Sequence, residues 1–155
     1  MLNEITDIEL MMWEVFEDAK NDILDRHDRA GQVASGRTAR SMKVEVVSDA
    51  SSVTGTMYGR RYFAGLETGS QPWKKQYKHP PRPFVDTIQR WMDDKGIKGV
   101  SAYLVARKIM REGSQLYRQG GRDDIFTPAM TTIEATISDR VSSLFDTILT
   151  KTLAK

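Results

Sequence analysis

Three features of the sequence predict an α+β fold: a small antiparallel sheet (a hairpin plus a short strand) packed against N-terminal and C-terminal helices, with a two-helix insertion. Apolar residues recur at spacings of three and four near both ends of the chain, which is one face of a helix. Between Ser41 and Tyr58 the spacing falls to two, the alternation of a half-buried strand. From Gly59 to Pro83, glycine and proline cluster and no period survives.

The elements follow in order. Ile5, Ile8, Met12, Phe16, Ala19 and Ile23 form one stripe, widened by Met11, Trp13 and Val15, with Glu4, Asp7, Glu14, Glu17, Asp18 and Lys20 opposite. This predicts a helix to about Asp28, broken by the stretch 31–36 with its two glycines. Met42, Val44 and Val46 share a face of the first strand, 48–51 is turn chemistry, and 53–58 returns as a second strand rich in β-branched and aromatic types. The segment 59–83 is expected to be a long loop. Its Tyr62, Phe63, Trp73 and Tyr77 argue that it orders against something, such as a neighbouring subunit. The insertion spans 84–119. Pro83 suits the first turn of a helix from Phe84 to Lys95, with Phe84, Ile88, Trp91 and Met92 on its apolar side and Gly96 as its stop. Ser101 is placed to cap a further helix to about Gln119, with Ala102, Val105, Ala106, Ile109 and Met110 on one side. The segment 123–126 reads as extended, one more strand or a strap. Thr127-Pro128, a cap followed by a first-turn proline, opens a last helix along Met130, Ile133, Ile137, Val141, Leu144 and Ile148.

Composition bounds the class. At 155 residues, 39% hydrophobic and 28% charged, the chain is expected to fold as one domain, 1–155. The net charge of +2 lacks the strong basic footprint of a nucleic-acid binder, but the charge is uneven. Arg60, Arg61, Lys74, Lys75, Lys78 and Arg82 face one acid, Glu67, within 60–82. The absence of cysteine excludes disulfides, thiol nucleophiles and cysteine metal sites. The acidic start, and the lack of a membrane-length apolar run, read as a soluble protein made in the cytoplasm.

Little in the chain nominates chemistry. Asp22, Asp25, His27 and Asp28 sit near a helix end, where we read charged, solvated residues rather than a metal site, which needs several convergent ligands. His79, in Lys78-His79-Pro80-Pro81, has no matched nucleophile. The acid pairs 17–18, 93–94 and 123–124 are adjacent in sequence and do not face each other on a helix. Phosphate-loop, dinucleotide and serine-elbow patterns are missing. No catalytic residue, metal ligand or cofactor is therefore nominated. The competing signal is the basic, aromatic loop 60–82. There Lys74, Lys75, Lys78 and Arg82, with Trp73 and Tyr77, are suited to grip a nucleic-acid backbone and stack on bases.

Three motifs carry a resemblance: Ser35-Gly36-Arg37-Thr38-Ala39-Arg40-Ser41-Met42, Tyr62-Phe63-Ala64-Gly65-Leu66-Glu67-Thr68-Gly69 and Phe126-Thr127-Pro128-Ala129-Met130. In this order, behind an N-terminal helix and before a C-terminal one, they resemble the tail-completion, or head-to-tail joining, neck proteins of tailed bacteriophages. The stretch 73–119 adds two helices between the second and third motifs, more than compact members carry. The resemblance implies a structural, non-enzymatic virion protein. It also implies a homo-oligomeric, commonly six-membered, ring between the head connector or adaptor and the tail-tube or terminator proteins, through which DNA passes without specific binding. It makes Arg37, Arg40, Tyr62, Glu67, Trp73 and Tyr77 the expected subunit or ring contacts, with Lys74, Lys75 and Lys78 facing DNA. Gly36 is expected to allow a tight entry to the first strand. Glu67 is expected to pair with an arginine such as Arg37 or Arg40, within or between subunits.

Overall fold

The computed structural model describes residues 2–75 and 77–153, without the side chains of residues 2–5, 151 and 152, so Ile5 of the expected stripe lies outside the description. The elements are α1 (Leu2–Arg29), α2 (Arg37–Arg40), β1 (Lys43–Ser48), β2 (Val53–Tyr58), a 3-10 turn (Arg61–Phe63), α3 (Gly65–Thr68), α4 (Arg82–Asp94), α5 (Ala102–Glu112), α6 (Gln115–Arg118) and α7 (Thr127–Leu153). The fold is α+β, as the alternation of periods predicts.

The body is built on α1. Its stripe buries Met12, Val15, Ala19 and Ile23, the last three of which meet Met42, just before the hairpin, and Ile125, Ala129 and Ile133 from the other end of the chain. The hairpin lies across the middle of α1. Its strands pair antiparallel, Lys43 opposite Tyr58 and Ser48 opposite Val53. Inward Val44 and Val46 alternate with exposed Lys43, Glu45 and Val47. Gly55 lets β2 approach α1, because a Cβ there would overlap the Phe16 ring. Asp49 closes the hairpin turn. It accepts hydrogen bonds from the backbone and hydroxyls of Ser51 and Ser52, led by the Ser51 N–H, and these hold its carboxyl down at about 2. α7 runs antiparallel to α1, with Arg140 reaching Glu14 at 3.1 Å.

The insertion forms a second small core. Ile88 and Met92 of α4 pack on Ala102 and Ala106 of α5. α4 ends in a Schellman motif at Gly96 (φ 66°): Ile97 N–H donates to Met92 O at 2.9 Å and Gly96 N–H to Asp93 O at 3.0 Å. This is the stop that the sequence predicts.

Four local expectations need correcting. The first concerns Gly36, which opens the single helical turn α2 rather than the strand. A second is the loop 59–83, whose first part coils into the 3-10 turn and α3, because Glu67 is drawn inward. The helix expected from 101 to 119 also breaks. Gly113 (φ 83°) ends α5, since a Cβ there would lie 2.8 Å from Ser70 O. Finally, 123–126 adds no strand to the sheet, which has two strands among the described residues. Its backbone donors go to a side chain instead.

Two small cores joined by loops leave much surface. The chain exposes 10804 Å². A compact monomer of 17.6 kDa exposes roughly 7,900 Å².

Candidate functional site

The best-defined polar constellation lies at the N-terminus of α7. A helix leaves its first N–H groups without intrahelical acceptors, and its dipole favours a negative charge there. Glu67, only 3% exposed, supplies that charge from α3. Its Oε1 accepts from the N–H groups of Ile125 at 2.7 Å, Phe126 at 2.7 Å and Thr127 at 3.0 Å, while Oε2 accepts from the Thr127 hydroxyl at 2.6 Å. Burial alone pushes the carboxyl up. The bonds from Thr127, Ile125 and Phe126 outweigh it and hold Glu67 below the ordinary carboxylate range. Thr127 is therefore the first residue of α7 and a donor to Glu67, rather than the cap expected from the Thr-Pro pair.

The surroundings lock this contact. Phe63 and Phe126 stack with centroids 5.6 Å apart. The Arg122 N–H donates to Glu67 O at 2.8 Å, and the Arg122 guanidinium chelates Asp124 at 2.5 and 2.7 Å. Gln32, just after α1, donates to Leu66 O at 2.8 Å. The second and third sequence motifs thus meet in one knot. What the sequence reading missed was that the strap 122–127 is the partner of Glu67; the unsatisfied donors at the start of a long helix were the signal that could have found it.

The other nominated residues are dispersed. Glu67 is buried within its own chain, so its expected roles as a surface contact and as a partner of Arg37 or Arg40 are both corrected. Exposed Arg37 reaches Asp94 at 3.5 Å and the Ser35 hydroxyl at 2.8 Å, and Arg40 donates to Ser35 O at 2.9 Å. Tyr62 stands 68% exposed beside the knot. Trp73 is turned into its own chain. Its ring packs on Phe84 at 4.9 Å and its backbone N–H donates to Met110 O at 2.9 Å, so this part of the loop orders against the insertion. Lys74, Lys75, Tyr77 and Lys78 are exposed, with Lys75 over the Tyr77 ring at 5.2 Å.

His27 also departs from expectation. It is 4% exposed, not part of a solvated helix end, and its burial, with the Lys95 charge, lowers its pKa against the opposing pull of Asp28. Its neighbours Asp22 and Asp25 pair with Arg26 and Arg29. Among the described residues no group of three or more histidine or acidic side chains is placed to hold a metal. Among the described residues no helix is long and apolar enough to cross a membrane. His79 Nδ1 lies 2.6 Å from the Tyr103 hydroxyl on the insertion.

Between the body and the insertion lies a cleft of about 780 Å³, bordered by α2, α4, α5 and α6. Comparison with family models, with characterised proteins and with solved structures returns no match for this chain.

Proposed function

We propose that this protein is a structural subunit of a phage virion neck. It forms a ring that joins the head connector to the tail and lets DNA pass, without catalytic turnover. The observation that carries the reading is the Glu67 knot. Two motifs of the resemblance, far apart in sequence, serve one mechanical purpose: they clamp the start of the long helix α7 to the body. The construction suits a rigid wedge. Its polar groups are spent on backbone donors, and its surface exceeds that of a compact monomer by roughly 2,900 Å², enough for contacts with sister copies.

Negative-stain images of the concentrated protein, alone and mixed with the connector and tail-tube proteins of its phage, are expected to show annular particles with a central opening. A protein that stays monomeric and binds neither partner would overturn the reading. The second reading, a nucleic-acid-binding protein using loop 60–82, is favoured by the exposure of Lys74, Lys75 and Lys78, but loses its principal stacking group where Trp73 packs on Phe84. It predicts tight, salt-sensitive binding to single-stranded DNA that is abolished by K74E/K75E/K78E.

A further inference from the structure

We infer that the basic cleft between body and insertion receives the acidic tip of the α1–α7 pair from a second copy of this chain, so that subunits join head to tail. This rests on the reading of the chain as a ring subunit and names the two surfaces of the joint.

The cleft carries Arg37, Arg60, Arg90, Lys108 and Arg118 against one acid, Asp94. Asp94 pairs with Arg37 and Arg118 pairs with Glu112. Arg90 donates to the Asp86 carbonyl and the Thr87 hydroxyl. Among the described residues no salt bridge neutralises Arg60, Arg90 or Lys108. Leu66, Trp91 and Ile109 lie among these cations. An occupant must therefore bring both acids and apolar side chains.

The opposite end of the molecule has that chemistry. Residues 4–18 include Glu4, Asp7, Glu9, Glu14, Glu17 and Asp18 and no lysine or arginine; Glu14 and Glu17 are paired with Arg140 and Lys20, and among the described residues no salt bridge neutralises Asp7, Glu9 or Asp18. Leu10 is 57% and Trp13 49% exposed on the same stretch. The Arg140–Glu14 bridge sets the antiparallel register of α7, which brings Phe145 and Leu149, both more than half exposed, beside the first turns of α1. No described residue of α7 beyond Ile133 is fully buried.

Cleft and tip cannot meet within one chain. His27 borders the cleft and Asp7 marks the tip, and twenty residues of α1 separate them by about 30 Å. A joint between two different patches is heterologous and repeats until the ring closes. Two such faces at about 800 Å² each take up roughly half of the surplus surface.

Sedimentation velocity on three proteins tests this: wild type, a cleft variant (Arg90→Glu, Lys108→Glu) and a tip variant (Asp7→Lys, Leu10→Ser), each first shown to be folded by circular dichroism. The wild type is expected to assemble and each variant alone to associate at least about tenfold more weakly. The equimolar mixture, with one intact cleft and one intact tip, is expected to form a dimer that grows no further. Variants that assemble like wild type, or a mixture that gives no dimer, overturn the inference and leave the ring reading standing. A wild type that is monomeric at high concentration overturns both and leaves the cleft to an acidic helix of another protein.

Discussion

Glu67 ties distant parts of the fold together, because three backbone donors and a hydroxyl from the strap and the start of α7 depend on it. Glu67→Ala leaves those donors buried without an acceptor and is expected to cost about 3 kcal/mol or more in urea unfolding at neutral pH. Glu67→Gln, which keeps one acceptor oxygen but no charge, should cost less. The pH dependence has a definite sign. The folded carboxyl sits below its unfolded value of 4.5, so its stabilisation is complete above that pH and is lost as pH falls through the folded value. The Gln variant should lack this acid limb, and an unchanged limb would refute the assignment. His27 acts in a different window. Its folded pKa lies below 6.5, so the unfolded chain takes up the proton first and stability falls as pH drops from 6.5 through the folded value. Chemical denaturation at pH 7.5 and 5.5 should show this loss, and His27→Gln should reduce it.

Among the elements, the break between α5 and α6 is the clearest case of context overriding local preference. Ala102 to Arg118 has helical spacing, yet Ser70 and Ser114 exchange hydrogen bonds across the break: Ser114 N–H donates to Ser70 O at 2.8 Å, and Ser70 N–H donates to the Ser114 hydroxyl at 2.9 Å. Gly113→Ala introduces a methyl against Ser70 O at a positive φ, and is expected to destabilise by about 1–3 kcal/mol. An unchanged urea midpoint would show that the junction relaxes freely. The hairpin behaves oppositely. Its alternation, its turn chemistry and its β-branched second strand all agree, and the strand 53–58 falls where the sequence places it.

The whole molecule is two modest cores with a cleft between them and a long helical pair projecting from one end. Such a shape leaves apolar side chains in water unless copies meet. If they do, the thermal midpoint should rise with protein concentration, because association binds the folded state and not the unfolded one. A midpoint independent of concentration would argue for a stable monomer.

Periodicity determined the helices at both ends, the hairpin and the first insertion helix, since each buries one face at a spacing fixed by its own backbone. The glycine stop after α4 was legible for the same local reason. The destination of Glu67, the inward turn of Trp73, the burial of His27 and the choice between strand and strap at 123–126 were not, because their partners lie far along the chain and a side chain carries no local mark of what it will meet. Those contacts, and the placing of a basic cleft at one end of the molecule and an acidic stretch of α1 at the other, were decided only when tertiary packing brought distant segments together.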